Sequence, residues 1–353
     1  MSEWGITGIQ QIGVGVMDLD ESFRWCRRVL GLDVPVFNDE GLAGLMIRYT
    51  GGVPRERKAL LAANLQGGGG LEIWQFTSRV PQPAGFEVRL GDLGIFSVSI
   101  KTRNASTAFI ELRKKGAEPV DAAASDPAGR SHFFIRGREG LFFEIVEAAD
   151  WFAGGRHVTG GVCGCMIGVS DIGKAIPFYS GILGYDEVLS DACGRFGDLA
   201  ALPGGDGELR RVLLAHRGKR EGAFHRLLGV SRIELVQSLD RAPRRIYGDR
   251  FWGDPGFMHL CFDVWGMDAL RRFCARMGFP FTVDSAEDFS MEGAAGRFAY
   301  VEDPDGTLIE FVETRRVALI AALGWFLDLG ARDPRKPLPD ILVKAMALKR
   351  VRG

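Results

Sequence analysis

Four glutamates stand where an apolar residue would be the ordinary choice: Glu72 in GLEIWQ, Glu144 in LFFEIVE, Glu234 in RIELVQ and Glu310 in GTLIEFVE. Each sits near the centre of a short run dense in Ile, Leu, Val and Phe, which reads as a strand. A carboxylate lodged in such a run is costly unless it faces solvent, is protonated or meets a cation. Two kinds of chemistry are open to it. It can help to hold a positive charge, or it can carry a proton for a reaction.

The elements that position these residues emerge from an internal repeat. VGVMDLDESFRWCRRVLGLD (Val14 to Asp33) and IGVSDIGKAIPFYSGILGYD (Ile167 to Asp186) superpose without a gap at an offset of 153 residues, Asp18 falling on Asp171 and Gly31 on Gly184. Each reads as a strand, an amphipathic helix and a second strand. A further match joins REGLFFEIVE to PDGTLIEFVE, so four strand-helix-strands units begin near Ile9, Leu93, Val162 and Phe257. Every unit ends in a strand carrying one of the four glutamates. In the last unit the Asp303 to Gly306 turn reverses the chain and sets the register that aims Glu310 to one side, with Ile309 and Phe311 on the other.

Composition narrows the function. With 353 residues and a net charge of -1, the chain is long enough for two domains and lacks the basic excess that nucleic acid or an anionic membrane would call for. No signal-peptide pattern and no run of 18 apolar residues is present, so the expectation is a soluble, cytoplasmic protein. Cys26, Cys163, Cys165, Cys193, Cys261 and Cys274 show no C-x-x-C spacing and read as buried free thiols.

The segments VSDIGKAIPFYSGILGYD and DPDGTLIEF resemble the vicinal oxygen chelate superfamily, which includes glyoxalase I, extradiol dioxygenases, methylmalonyl-CoA epimerase, and fosfomycin- and bleomycin-resistance proteins. The resemblance spans residues 8 to 314. It implies an α+β fold of four βαβββ modules paired into two half-barrel domains, with metal ligands drawn from the first strand (His or Gln) and the last strand (Glu or Gln) of each module. We expect domains at residues 1–152 (modules one and two) and 153–314 (modules three and four), each with an eight-stranded curved sheet and two outer helices. Residues 315–353 follow as a helical extension.

Carried over residue by residue, the resemblance makes Gln11, Glu72 and Glu144 the ligand positions of the first half, with Ile95 where a His would stand. The second half offers Glu234, His259 and Glu310, with Gly164 in the vacant place. The expected site is therefore His259, Glu310 and Glu234 around one divalent metal ion (Zn, Mn, Ni, Co or Fe), since one imidazole and two carboxylates neutralise the ion and leave positions for two substrate oxygens. Glu234 is the candidate base or displaceable ligand. Tyr300, ten residues before Glu310, resembles the active-site Tyr of ring-cleaving dioxygenases. His225 is a loop residue within reach of the cleft. Whether the first half also binds metal stays open at this level.

Three functions follow from the resemblance. The leading one is a glyoxalase- or epimerase-like lyase or isomerase acting on a small metabolite with adjacent oxygens. The others are an extradiol-type dioxygenase with an altered iron site and a non-catalytic binding protein. VALIAALGWFLDLG and ILVKAMALKRVRG read as tail helices that pack on the body or on a second subunit, without a membrane partner.

Overall fold

The computed structural model describes residues 2–286, 289–291, 294–320 and 325–351. Module one comprises β1 (Gly5–Gly15), α1 (Leu19–Trp25), β2 (Val34–Leu42), β3 (Glu56–Ala63) and β4 (Gly70–Phe76). Module two contributes β5 (Gly94–Thr102), α2 (Ala105–Lys114), β6 (Glu118–Pro119), β7 (Ala124–Ser125), β8 (Ser131–Arg136) and β9 (Phe142–Glu147). Module three has β10 (Thr159–Gly168), α3 (Ile172–Gly181), β11 (Glu187–Gly194), β12 (Leu209–Ala215), the one-turn α4 (His225–Leu228) and β13 (Arg232–Ser238). Module four has β14 (Gly256–Trp265), α5 (Met267–Arg276), β15 (Val283–Asp284), β16 (Phe289–Met291), β17 (Ala294–Glu302) and β18 (Leu308–Ile320), and the chain continues into β19 (Trp325–Asp328) and α6 (Asp340–Ala345).

The repeat has a physical basis in helix capping. Asp18 and Asp171 are both N-caps, each side chain accepting a hydrogen bond from the backbone three residues on. Gly31 and Gly184 both adopt left-handed backbone, φ 67° and 70°, where the chain leaves the helical segment for the next strand. The matching residues are therefore the ones that start and stop the same helix twice.

Two curled mixed sheets form half-barrels. In one the strand order is β15-β17-β18-β14-β1-β4-β3-β2, and in the other β11-β12-β13-β10-β5-β9-β8-β6, with a few short strands added at the edges. Within each module the first and last strands are parallel. Between modules, β1 pairs antiparallel with β14, and β10 with β5. The expected pairing of consecutive modules is thus corrected: module one shares its sheet with module four, and module two with module three. We call these the outer-module and inner-module sheets. The close approach of β1 to β14 has a steric cause, because a Cβ at Gly13 would lie 2.1 Å from Cε1 of His259. Glycine at this point of β1 admits the imidazole.

The tail also departs from expectation. Rather than forming a helix, residues after Glu313 extend β18 as far as Ile320, and β19 folds back against it with Val317 opposite Leu327. Residues 321–324 of that stretch lie outside the described residues. The final segment is helical, as α6 and a 3-10 turn at Met346–Lys349, and it docks on the body. Its Lys349 Nζ donates to the Val36 carbonyl (2.8 Å) and Arg350 Nε to Asp33 Oδ1 (3.1 Å). No helix among the described residues is long and apolar enough to cross a membrane. Five of the six cysteines are buried; Cys193 is exposed, and all are free thiols.

Candidate metal centre

The closing strands carry the carboxylates into the two concavities. Around the Asp303 turn, the Asp303 side chain accepts hydrogen bonds from the backbone of Asp305 (2.9 Å) and Thr307 (2.7 Å), and Gly306 takes φ 86°. That turn sets Tyr300 directly across from Glu310. Glu310 then lies beside Cys261 of β14, two residues from His259, while Glu72 of β4 lies beside Gly13 of β1.

Three buried ligand groups meet there. His259 Nε2 is 3.1 Å from Glu310 Oε2 and 3.3 Å from Glu72 Oε2. Gln11 Nε2 donates to Glu72 Oε2 at 2.9 Å. Among the described residues, Glu72, His259 and Glu310 form the one group of three or more His, Cys, Asp or Glu side chains whose ligand atoms all lie within 4.8 Å of one another. The site therefore joins two residues of the expected triad, His259 and Glu310, to Glu72. Glu234 is not part of it and lies in the other sheet. Glu72 and Gln11 were visible as ligand positions, but only the sheet order shows that they face His259.

The cluster fits a divalent cation. His259 Nε2 faces the Glu310 and Glu72 carboxylates, and Gln11 Oε1 beside them is buried without a hydrogen-bond partner; a shared cation would satisfy all of these groups. Burial disfavours the charged imidazole, yet the Glu310 and Glu72 carboxylates outweigh it and hold the pKa of His259 up at about 9. Trp252 Nε1 lies 3.2 Å from His259 Nδ1. An indole N–H only donates, so this contact forms when the imidazole is neutral, with Nδ1 accepting and Nε2–H facing the carboxylates, and is given up when both ring nitrogens are protonated. A cation held through Nε2 would take the place of the proton there and leave Nδ1 as the protonated nitrogen. Tyr300 stands edge-on to His259 with ring centroids 5.5 Å apart, and burial, then Glu310, pushes its phenol well above the usual range.

A cavity of about 230 Å³ opens onto this cluster. Glu72, Glu310 and Gln11 lie on its wall among Phe37, Met46, Trp74, Trp252 and Phe298. Leu227 and Leu228 of α4 also line it, but His225 does not; its Nδ1 pairs with the Gly222 carbonyl at 2.9 Å.

The inner-module sheet satisfies its carboxylates differently. Arg211 Nε donates to Glu234 Oε1 at 2.6 Å, and Arg211 Nη1 pairs with Asp198 at 2.8 Å. His132 Nδ1 meets Glu144 Oε1 at 2.8 Å, and Ser99 Oγ donates to Glu144 Oε2 at 2.5 Å. Against burial, His132 and Arg130 hold the Glu144 carboxyl down at about 2, while Asp198 and Glu144 hold His132 up at about 10. Burial pushes Glu234 upward in spite of Arg211. The structural counterpart of His259 is Ser97 rather than Ile95, because Ser99 lies beside Glu144 as Cys261 lies beside Glu310. Sequence alignment missed this by one turn of the strand alternation. Gly164 does occupy the place of Gln11, as expected.

The sequence matches the family described as the Glyoxalase/Bleomycin resistance protein/Dioxygenase superfamily over residues 8–145 and 163–311, and the chain belongs to that superfamily. No curated protein matches it. Among solved structures, a putative dioxygenase from Bacillus subtilis subsp. subtilis str. 168 is similar at 17% identity with a TM-score of 0.59, covering 88% of this chain and 86% of that one. Glyoxalase I from Zea mays is similar at 13% identity with a TM-score of 0.53, covering 87% and 92%. At these identities the likeness is one of fold.

Proposed function

We propose that the protein is a metal-dependent enzyme acting on a small metabolite with adjacent oxygens, a lyase or isomerase of the glyoxalase or epimerase kind, with its chemistry confined to the outer-module sheet. The observation that carries this reading is the buried Glu72–His259–Glu310 cluster, with Gln11 beside it, on the wall of a cavity. These four residues would hold one divalent cation, of Zn, Mn, Ni, Co or Fe, which when bound polarises adjacent substrate oxygens and eases removal of a neighbouring proton.

The protein's own groups have separate roles. Glu310 borders the cavity from the closing strand, where it takes a proton from the substrate carbon and returns it. Glu72 is steadied by Gln11, and Tyr300 packs against the imidazole and supports Glu310 from the facing strand. The expected role of Glu234 as base passes to Glu310, since Glu234 is engaged by Arg211 in the other sheet. A second imidazole, which the ring-cleaving alternative calls for, is replaced by the amide of Gln11.

Metal analysis of protein purified without chelator tests this reading. One equivalent of Zn, Mn, Ni or Co is the expected result. Iron accompanied by oxygen uptake would favour ring cleavage, and absence of any stoichiometric metal would overturn the proposal.

A further inference from the structure

The cavity wall carries information about the substrate beyond its adjacent oxygens. Beyond the metal-ligand cluster the wall is largely apolar, and Trp74, Trp252, Phe298 and Tyr300 form a connected aromatic surface. The two indoles are 4.4 Å apart edge to face, Trp252 and Tyr300 6.3 Å, and Phe298 and Tyr300 6.0 Å. Met346 of the carboxy-terminal tail completes part of the wall. At the rim, Leu42 and Leu45 also border the cavity while remaining 59% and 48% exposed. Large apolar side chains left in water at the mouth of an apolar cavity mark a path for an apolar ligand.

Positive charge is present but already engaged. Among the described residues lining the cavity, the cationic ones are Arg57 and Arg297. Arg57 pairs with Asp39 at 2.6 Å and lies over the Trp74 ring at 5.0 Å; Arg297 is held by Asp284 at 2.7 Å and Asp268 at 2.8 Å. Arg57 keeps a buried Nε without a hydrogen-bond partner, but an anionic substituent extending from the metal centre would still compete with these carboxylates and lose its hydration against hydrocarbon. An uncharged substituent meets neither obstacle.

We propose, on the basis of the functional reading above, that the substrate is an uncharged, largely apolar compound bearing adjacent oxygens, its oxygens at the Glu72–His259–Glu310 end and its hydrocarbon against the aromatic wall. Conjugates that carry charge on the substituent are disfavoured by the same wall, and small oxo acids lack the hydrocarbon to cover it. Leu45, at the rim and away from the ligand groups, is a specificity determinant.

Full-length protein loaded with its metal, with the metal content measured on the same samples, provides the test. Binding of 1-phenylpropane-1,2-dione, butane-2,3-dione and pyruvate is compared by calorimetry; the three share adjacent oxygens and differ in apolar surface and charge. The expected order is phenylpropanedione first, butanedione next and pyruvate weakest, with at least about a tenfold span from first to last. Leu45→Glu should weaken phenylpropanedione several-fold, leave metal content unchanged and narrow the gap to pyruvate. Pyruvate binding as tightly as the phenyl compound, with metal present, would overturn the substrate class and leave the metal-enzyme reading standing. A protein that holds no metal would remove both.

Discussion

The two half-barrels use the same four-module plan and end their strands in the same glutamates, yet only one leaves those glutamates short of partners. In the inner-module sheet, Arg211 stands two residues before Leu213, which faces Glu234, and His132 stands two residues before Phe134, which faces Glu144. The corresponding places in the outer-module sheet, read from the strands facing Glu72 and Glu310, are Ala59 and Phe298. Two basic side chains are thus exchanged for a methyl and a phenyl group. The inner concavity is also filled by Phe196, Leu199 and Leu202, whereas the outer one remains an open cavity. A buried carboxylate needs compensation, and the difference lies in whether the chain supplies it internally or leaves room for a cation and a substrate. One fold therefore yields one half whose carboxylates are ion-paired and one in which Glu72 and Glu310 border an open cavity beside His259.

The sharpest way to break this comparison is to remove charge from matching glutamates. Glu310→Gln and Glu72→Gln should lower metal affinity by more than the roughly 10- to 100-fold typical of losing a supporting partner, because each removes a direct ligand. Glu144→Gln and Glu234→Gln should leave metal content as it is, as read by elemental analysis after dialysis. Equal loss from both sets would mean that the inner concavity also holds metal.

The converse change addresses stability. Arg211→Met strands the buried Glu234 carboxylate, leaving Asp198 to His132, and should cost about 3 to 5 kcal/mol in urea unfolding while metal stoichiometry stays at its native value. Unchanged stability would show that the inner network is not what holds those charges. Gln11→Ala, by contrast, should reduce metal affinity by only about tenfold without altering the fold, since it removes a neutral oxygen and the hydrogen bond to Glu72.

The comparison also carries a pH dependence. His132 has a folded pKa of about 10, above its ordinary 6.5, so its contribution to stability is complete below about pH 6.5 and is lost as pH rises through 10. Glu144, held at about 2, contributes fully above about pH 4.5 and loses that contribution as pH falls through 2. The stability gap between the native protein and His132→Gln, followed by thermal unfolding, should therefore close progressively between pH 6.5 and 10. A constant gap would mean that His132 acts only by packing.

Much of this arrangement was legible in the chain. Asp18 with Asp171, and Gly31 with Gly184, mark helix starts and stops that depend on local hydrogen bonding and backbone conformation, so the modules could be counted directly. The side of the strand on which Glu310 lies was legible for a similar reason, because the Asp303 turn and strand alternation are short-range constraints, whereas His259 was singled out through the resemblance to the superfamily. The segment after Glu313 was harder to read. An apolar run near a chain end suits either a helix or an extended edge strand, and its pairing with β19 decided the matter as far as the described residues extend.

By itself, then, the sequence determined four modules, the glutamate closing each one, and the side of the strand on which Glu310 lies, since all of these follow from interactions over a few residues. Only the tertiary structure decided which modules meet. A repeat at an offset of 153 residues is equally compatible with neighbours pairing in order or with the first module closing on the last. The choice rests on contacts such as Gly13 under His259, far apart in the chain, where the absence of a side chain lets one strand lie against another. The same long-range packing brought Glu72 to the imidazole and Arg211 to Glu234, and so decided which carboxylates remain available for a cation.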